Sequence, residues 1–317
     1  DDMGIGDLSC YNSGWVMTPN IDRLASQGLK FNHYYTSSPV SSPSRVGLTT
    51  GMFPTEWGIN TFLNNRKYNA NCEQCDYLDS SAPTIAKSLK AAGYSTAHIG
   101  KWHMGGGRDV DDAPQIPKYG FDEYLSTYES PDPDKLITAS NWIWSENDSI
   151  KRWERTGYFI DKTLDYLSRH KGKPCFVNLW PDDMHDPWVP SADYYNKKEL
   201  WSTEVPFRQV LEEYDRQIGR FMDGLEKLGL AENTIVIFTS DNGAYPTFNQ
   251  VRSNGHRGSK NSIYEGGVNM PFIIVWPNKI KAGGVDDESV INAVDIYPSL
   301  CAITGAKQIA GFNYSGE

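Results

Sequence analysis

Ser81-Ala82-Pro83-Thr84-Ile85-Ala86-Lys87-Ser88-Leu89-Lys90-Ala91-Ala92-Gly93-Tyr94-Ser95-Thr96-Ala97-His98-Ile99-Gly100 reads as one helix followed directly by one strand. Ser81 and Pro83 are start signals, because a small hydroxyl accepts an orphan N–H and proline is tolerated in a first turn. Ile85, Ala86 and Leu89 then recur at three- and four-residue steps on one face, and Gly93 ends the helix. Tyr94–Ile99 follows as a strand. The alternation extends both ways. Upstream, Thr18-Pro19 opens a short helix closed by Gly28, and Leu29–Tyr35 reads as a strand. Downstream, Glu154–His170 predicts a helix and Cys175–Leu179 a strand. The longest helix spans Phe207–Leu228, with Leu211, Ile218 and Leu225 on its apolar face. Ile235–Phe238 and Phe272–Trp276 are continuous apolar runs, as expected of strands buried on both sides, and Ala293–Ile303 closes as a helix. Alternating helices and strands predict an α/β fold, a mostly parallel central sheet sandwiched by helices. Asn60–Ser80 and Gly105–Ile150 interrupt the pattern and are read as surface excursions that shape a rim. No repeat, low-complexity segment or heptad run is present.

The 317 residues suffice for one large α/β domain or two smaller ones. Hydrophobic residues at 39% and charged residues at 22% exclude a disordered chain. The longest apolar runs are too short to span a bilayer. A net charge of −10 argues against nucleic acid or a membrane surface as the bulk partner, although a few local cations can still dominate one anion site. The five cysteines form no zinc pattern. Cys72-x-x-Cys75 reads as a local disulfide or free thiols rather than a metal site. Among the ten tryptophans, Trp57, Trp142 and Trp144 stand in polar segments and are candidates for stacking on sugars, against the plainer reading of core packing.

In open α/β sheets, sites form beyond the carboxyl ends of strands. Gly100-Lys101-Trp102-His103 follows one predicted strand, Asp182-Asp183-Met184-His185-Asp186 another, and Asp241-Asn242-Gly243 a third. Asp1-Asp2-Met3-Gly4 reads as the tail of a strand preceding this sequence. Asp1, Asp2, Asp241 and Asn242 offer hard oxygen donors, which suit calcium or magnesium better than zinc; a simple turn is the other reading of Asp-Asn-Gly. Pro39–Gly51 is the most informative stretch. Ser42 is expected to cap a helix running from Pro43 to near Gly51, leaving Ser41 beside its N-terminus, where N–H groups and the macrodipole favour an anion. Arg45 lies in the first turns, and a hydroxyl at such a start is a reasonable nucleophile. A capped helix after a serine-rich loop explains the same residues without chemistry.

Ser41-Ser42-Pro43-Ser44-Arg45 resembles the C/S-x-P-S-R signature of the type I sulfatases, formylglycine-dependent members of the alkaline phosphatase superfamily. Gly93–His103 resembles their second signature, with its G-K-x-H ending. Asp1-Asp2-Met3-Gly4, Thr18-Pro19-Asn20-Ile21-Asp22, Asp241-Asn242-Gly243 and Glu265-Gly266-Gly267 fall in the family's order across nearly the whole chain. Thr49 departs from the aliphatic residue usual at its position.

The resemblance implies conversion of Ser41 to formylglycine. A serine there resembles the bacterial branch matured by a radical enzyme; an engineered replacement of cysteine and an inactive site are the other readings. It implies a covalent mechanism, with calcium held by Asp1, Asp2, Ser41, Asp241 and Asn242, and with Arg45 and Lys101 on the sulfate. His103 matches the residue that removes a proton from the hydrate, and His185 and Lys260 match those that face the leaving oxygen. Beside the resemblance, the residues themselves make His256, Arg257 and Asp186 candidate sugar contacts, against a solvated loop, and Asp182, Asp183 or Asp186 a candidate orienting group for His185, against a plain surface turn. The implied substrate is a sulfated carbohydrate, first a 4- or 6-sulfated galactose or N-acetylgalactosamine unit of a glycosaminoglycan or algal polysaccharide, handled in the periplasm or outside the cell. The family pattern further implies that residues 1–317 are an N-terminal catalytic domain lacking its first strand, with a C-terminal subdomain beginning near residues 305–317. The rivals are a phosphate or phosphonate ester hydrolase using unmodified Ser41, and a non-catalytic pseudo-sulfatase that binds sulfated glycan.

Overall fold

The structure, a computed structural model, describes residues 1–11, 14–137 and 147–317. Its strands are β1 (Leu29–Phe31), β2 (Tyr34–Tyr35), β3 (Ser95–Gly100), β4 (Glu123–Ser126), β5 (Cys175–Trp180), β6 (Val236–Thr239), β7 (Phe272–Val275), β8 (Gly284–Asp286) and β9 (Ile291–Asn292). Its α-helices are α1 (Pro19–Ser26), α2 (Ser41–Thr50), α3 (Arg66–Asn71), α4 (Ile85–Ala91), α5 (Arg155–Arg169), α6 (Glu204–Leu228), α7 (Glu265–Val268) and α8 (Ile296–Thr304). The chain divides into two compact units. One comprises Asp1–Pro39, Arg152–Ile160 and Asp182–Ile291; the other comprises Val40–Lys151, Asp161–Pro181 and Asn292–Glu317.

In the first unit the sheet order is β6-β7-β1-β8. β7 runs antiparallel to β6 and β1, while β1 and β8 are parallel. α6 buries Phe207, Leu211, Ile218, Met222 and Leu225 along one stripe, as its periodicity predicts. It lies against α1, where Asp215 accepts hydrogen bonds from the Asn20 and Ile21 amides at 3.1 and 2.8 Å, capping α1 from another helix. Gly219 permits that approach, since a Cβ there would lie 2.2 Å from Asn20 Oδ1. β6 is half-buried rather than enclosed on both faces, because it is an edge strand of this sheet among the described residues.

In the second unit β4-β3-β5 form a sheet parallel throughout. The helix before β3 is capped by Thr84, whose hydroxyl accepts from Lys87 N at 3.1 Å, so the start signal lies at Thr84 and not at Ser81. The predicted strand Leu29–Tyr35 of the first unit is likewise two pieces, broken at Asn32 and His33.

The two excursions do more than shape a rim. Leu63, Leu78, Ile116 and Phe121 from the excursions belong to one buried apolar cluster with Trp102. Each such side chain contributes roughly 1.5–3 kcal/mol of burial. The second excursion also contains β4, which pairs with β3 from Ala97↔Glu123 to Gly100↔Ser126. Only two residues of β4, Tyr124 and Leu125, are apolar, too few for a periodicity to register. Trp57 packs against the same cluster and lies 6.0 Å from the Phe312 ring, so it is a packing residue. Trp142 and Trp144 lie outside the described residues. The five cysteines are free thiols.

Candidate active site

Each unit carries one cluster of the predicted residues. In the second unit α2 begins at Ser41 itself, with Val40 as the extended N-cap residue. Ser42 therefore does not cap the helix; its hydroxyl accepts the Leu63 amide at 2.9 Å and ties the first excursion to α2. The reason is the backbone: an N-cap residue is extended, and that conformation falls at Val40. Ser41 sits in the first turn, 2% exposed, with Lys101 Nζ 3.5 Å from its Oγ. Arg45, also buried, donates to the Lys101 carbonyl at 3.2 Å and lies 5.1 Å over the Trp180 ring. Lys101 and His103 follow β3, as read from the sequence. Gly100 makes this turn possible, with φ of 117° and a Cβ position 2.1 Å from the Trp180 carbonyl oxygen.

Lys101 and His103 share a partner that no motif announced. Glu129, buried just beyond β4, lies 3.3 Å from Lys101 Nζ and 3.3 Å from His103 Nε2. Arg108 donates to the same carboxylate at 3.2 Å. His103 is pushed down to about 3, chiefly by burial, against the pull of Glu129 and with help from Lys101 and Arg108. It is thus neutral near pH 7. The available signal for Arg108 was Gly105-Gly106-Gly107, three residues at positive φ, of which Gly106 and Gly107 fold against Tyr128–Pro131 and Gly105 against Tyr77.

In the first unit Asp2 is fully buried at φ 55°, an uncommon conformation for a non-glycine residue. Its amide donates to Asp241 Oδ1 at 3.0 Å, its Oδ1 accepts Asn242 Nδ2 at 2.7 Å, and its Oδ2 accepts Lys260 Nζ at 2.6 Å. Carboxylate oxygens of Asp1, Asp2 and Asp241 lie within 4.8 Å of one another. Three such oxygens with the Asn242 amide beside them are a hard-donor set and fit calcium or magnesium. His185 Nε2 is 3.1 Å from Lys260 Nζ and 3.7 Å from Asp2 Oδ2. Its Nδ1 lies 2.6 Å from the Asp186 carbonyl oxygen, which can only accept. The hydrogen is therefore on Nδ1, and Nε2 accepts from Lys260.

The Asp186 backbone carbonyl thus orients the His185 ring. Asp182 is held by Arg152 and Arg155 at 2.8 Å each, and Arg152 also donates to the Asp182 and His185 carbonyls. Asp183 accepts from Thr156 and is raised to about 6 by burial. Arg252, missed from sequence, donates to both oxygens of buried Asp7 and, at 2.9 Å, to the Asp2 carbonyl. Arg257 stacks on Tyr264 at 3.8 Å, and His256 lines a cleft of about 480 Å³ with Lys30, His33, Tyr35 and Glu265.

A family model described as Sulfatase matches residues 1–306. The chain belongs to the sulfatase family. An N-acetylgalactosamine-6-O-sulfatase of Bacteroides thetaiotaomicron is 32% identical, over 96% of this chain and 71% of that protein. The human N-acetylgalactosamine-6-sulfatase is 30% identical over 96% of this chain, which spans 60% of that protein's length. A structure from work on the metabolism of multiple glycosaminoglycans by Bacteroides thetaiotaomicron matches at a TM-score of 0.79 and 30% identity, covering 100% of this chain and 78% of that one. A second, solved in complex with k-i-k-neocarrahexaose, matches at 0.79 and 24% identity, covers 100% and 72%, and supports the fold alone. Among the described residues no helix is long and apolar enough to cross a membrane.

Proposed function

We propose that this chain is the catalytic part of a sulfuric ester hydrolase that removes sulfate from a carbohydrate, and that its substrate carries a 6-sulfated N-acetylgalactosamine or galactose unit. The observation that carries the reading is Ser41 in the first turn of α2 with Lys101 Nζ 3.5 Å from its hydroxyl, inside the C/S-x-P-S-R signature. The 6-sulfate rests on the names of the relatives above.

Formylglycine made from Ser41 would supply a nucleophilic oxygen that can be regenerated, and calcium would supply a Lewis acid. The residues of the chain do the rest. Lys101 and Arg45 hold the anionic sulfate, with the N–H groups of the first turn of α2. Neutral His103 would be the base that accepts a proton there. Lys260, which donates to His185 and Asp2, delivers a proton to the departing sugar oxygen, and His185 holds its ammonium in place. Asp1, Asp2, Asp241, Asn242 and the converted Ser41 would hold the cation. His256, Arg257 and Asp186 are assigned to the sugar. This assignment gives both clusters to one reaction, carried out in the periplasm or outside the cell after a radical enzyme has converted Ser41.

Co-expression with a Ser-type maturing enzyme tests it. The Ser41 peptide should be lighter by two hydrogens and trapped by a hydrazide, and the protein should release sulfate from 6-sulfated N-acetylgalactosamine. Unmodified Ser41 in cells that convert a control sulfatase, or hydrolysis of phosphate but not sulfate esters, defeats it.

A further inference from the structure

We infer that Glu129 is a positioning residue for the reaction assigned above, a buried carboxylate that holds His103 with its hydrogen on Nε2 and leaves Nδ1 as the basic nitrogen. The consequence for turnover rests on the functional reading of the previous paragraphs; the geometry does not.

The neighbours of the imidazole carry the argument. His103 Nε2 lies 3.1 Å from the Leu63 carbonyl oxygen and 3.3 Å from Glu129 Oε1. Neither oxygen has a hydrogen to give, since Glu129 also faces Lys101 and Arg108 and is ionised beside them. The nitrogen between two acceptors must be the one that carries the hydrogen. A neutral imidazole has only one, so Nδ1 keeps its lone pair. Nδ1 is buried and has no hydrogen-bond partner among the described residues. A buried basic nitrogen in that state is one whose partner arrives with the reacting group.

The fold explains why Glu129 is there. β3 and β4 are parallel and in register at Gly100↔Ser126, so Glu129 lies as far beyond β4 as His103 lies beyond β3. The His103 amide donates to the Glu129 carbonyl at 2.9 Å, so the same residue fixes His103 by its backbone and by its ring. Arg108 reaches the carboxylate because Gly106 and Gly107 let the chain close on Tyr128–Pro131; a Cβ on Gly106 would lie 2.3 Å from Pro131 N.

Removing the charge of Glu129 leaves Lys101 and Arg108 facing the ring without this counter-ion. Protonation at Nδ1 during turnover then becomes harder, while the contacts that hold the sulfate stay. Glu129→Gln should therefore lower kcat about 10- to 100-fold, part of what a general base contributes, with KM within about twofold and with a lower melting midpoint, because buried Lys101 also loses its counter-ion. Glu129→Asp keeps the charge and should recover part of the rate.

Two measurements decide the matter. Histidine-labelled protein with unmodified Ser41, read by long-range ¹H–¹⁵N spectra, should show His103 with a pyrrole-type Nε2 and a pyridine-type Nδ1; His103→Gln identifies the signals. A hydrogen on Nδ1 overturns the inference, and this readout needs no activity. In the matured enzyme, a Glu129→Gln rate within twofold of the original overturns it, as does equal loss of rate and melting midpoint in both variants. An unaltered protein that hydrolyses no sulfate ester defeats the functional reading instead and leaves the ring spectrum standing.

Discussion

Arg252→Met tests whether the Asp2 corner is held from behind. Arg252 and Asp7 are both fully buried and joined by contacts of 2.8–3.2 Å, and the same guanidinium holds the Asp2 carbonyl. It is also sandwiched, 4.4 Å from the Phe207 ring centroid and 5.1 Å from that of Trp188. Methionine preserves much of the apolar packing and removes the charge. Asp7, already raised by burial, is then left without its cation. Breaking a buried pair from one side costs about 3–5 kcal/mol. For 317 residues unfolding together, that lowers the melting midpoint by about 5–7 °C, and by roughly twice as much if the first unit unfolds alone. Calorimetry and urea titration read the loss. Asp7→Asn in the same chain removes the stranded charge yet keeps an acceptor for the Gly4 amide, so the double variant should be more stable than Arg252→Met. A midpoint within about one degree of the original, or a double variant no better than the single one, refutes this account of the corner.

Further outcomes follow from other groups. His98, buried edge-on to the rings of Trp102, Phe121 and Trp180, is pushed down from 6.5 to about 3 by burial and by Arg45. The unfolded chain takes up that proton first, so stability should fall as pH drops from 6.5 towards 3, and His98→Phe should make the acid limb of a stability–pH curve shallower; an unchanged limb refutes it. Calcium at a hundredfold excess over its dissociation constant should stabilise the fold by about 2.7 kcal/mol, and Asp241→Asn should abolish most of that shift in a melt with and without chelator. Lys260→Ala should slow sulfate release from a sugar by on the order of a hundredfold and from an activated aryl sulfate much less, because a phenolate leaves without a proton; equal losses on both would remove Lys260 from that role.

How much of this was legible in the sequence depended on the kind of signal. α6 was legible because Leu211, Ile218 and Leu225 repeat on one face, and β3 because Gly93 and Gly100 bracket a short segment directly after a helix. Lys101, His103, His185 and Asp241 were legible because each follows such a strand. Glu129 was not, because β4 has four residues and only Leu125 and Ser126 of them are fully buried, so the segment after it did not register as a strand end. Ser42 was misplaced because serine before proline is a start signal only if its backbone is extended, and in this chain that conformation falls one residue after Pro39, at Val40. Arg252 and Arg152 were invisible for another reason: an arginine in a polar loop carries no mark of the distant carboxylate that buries it.

The burial of Ser41 sets an order of events. A side chain 2% exposed in the first turn of a helix buried at nearly every position cannot enter another enzyme's active site. If Ser41 is to be oxidised, the oxidation has to happen while residues 39–51 are still an unfolded peptide, and folding then seals the product in. The proposed activity is thus fixed once per molecule, during biosynthesis. On the function proposed above, a chain that folds with serine in place would be a finished but unarmed protein, and a maturing enzyme added afterwards would have to meet it unfolded.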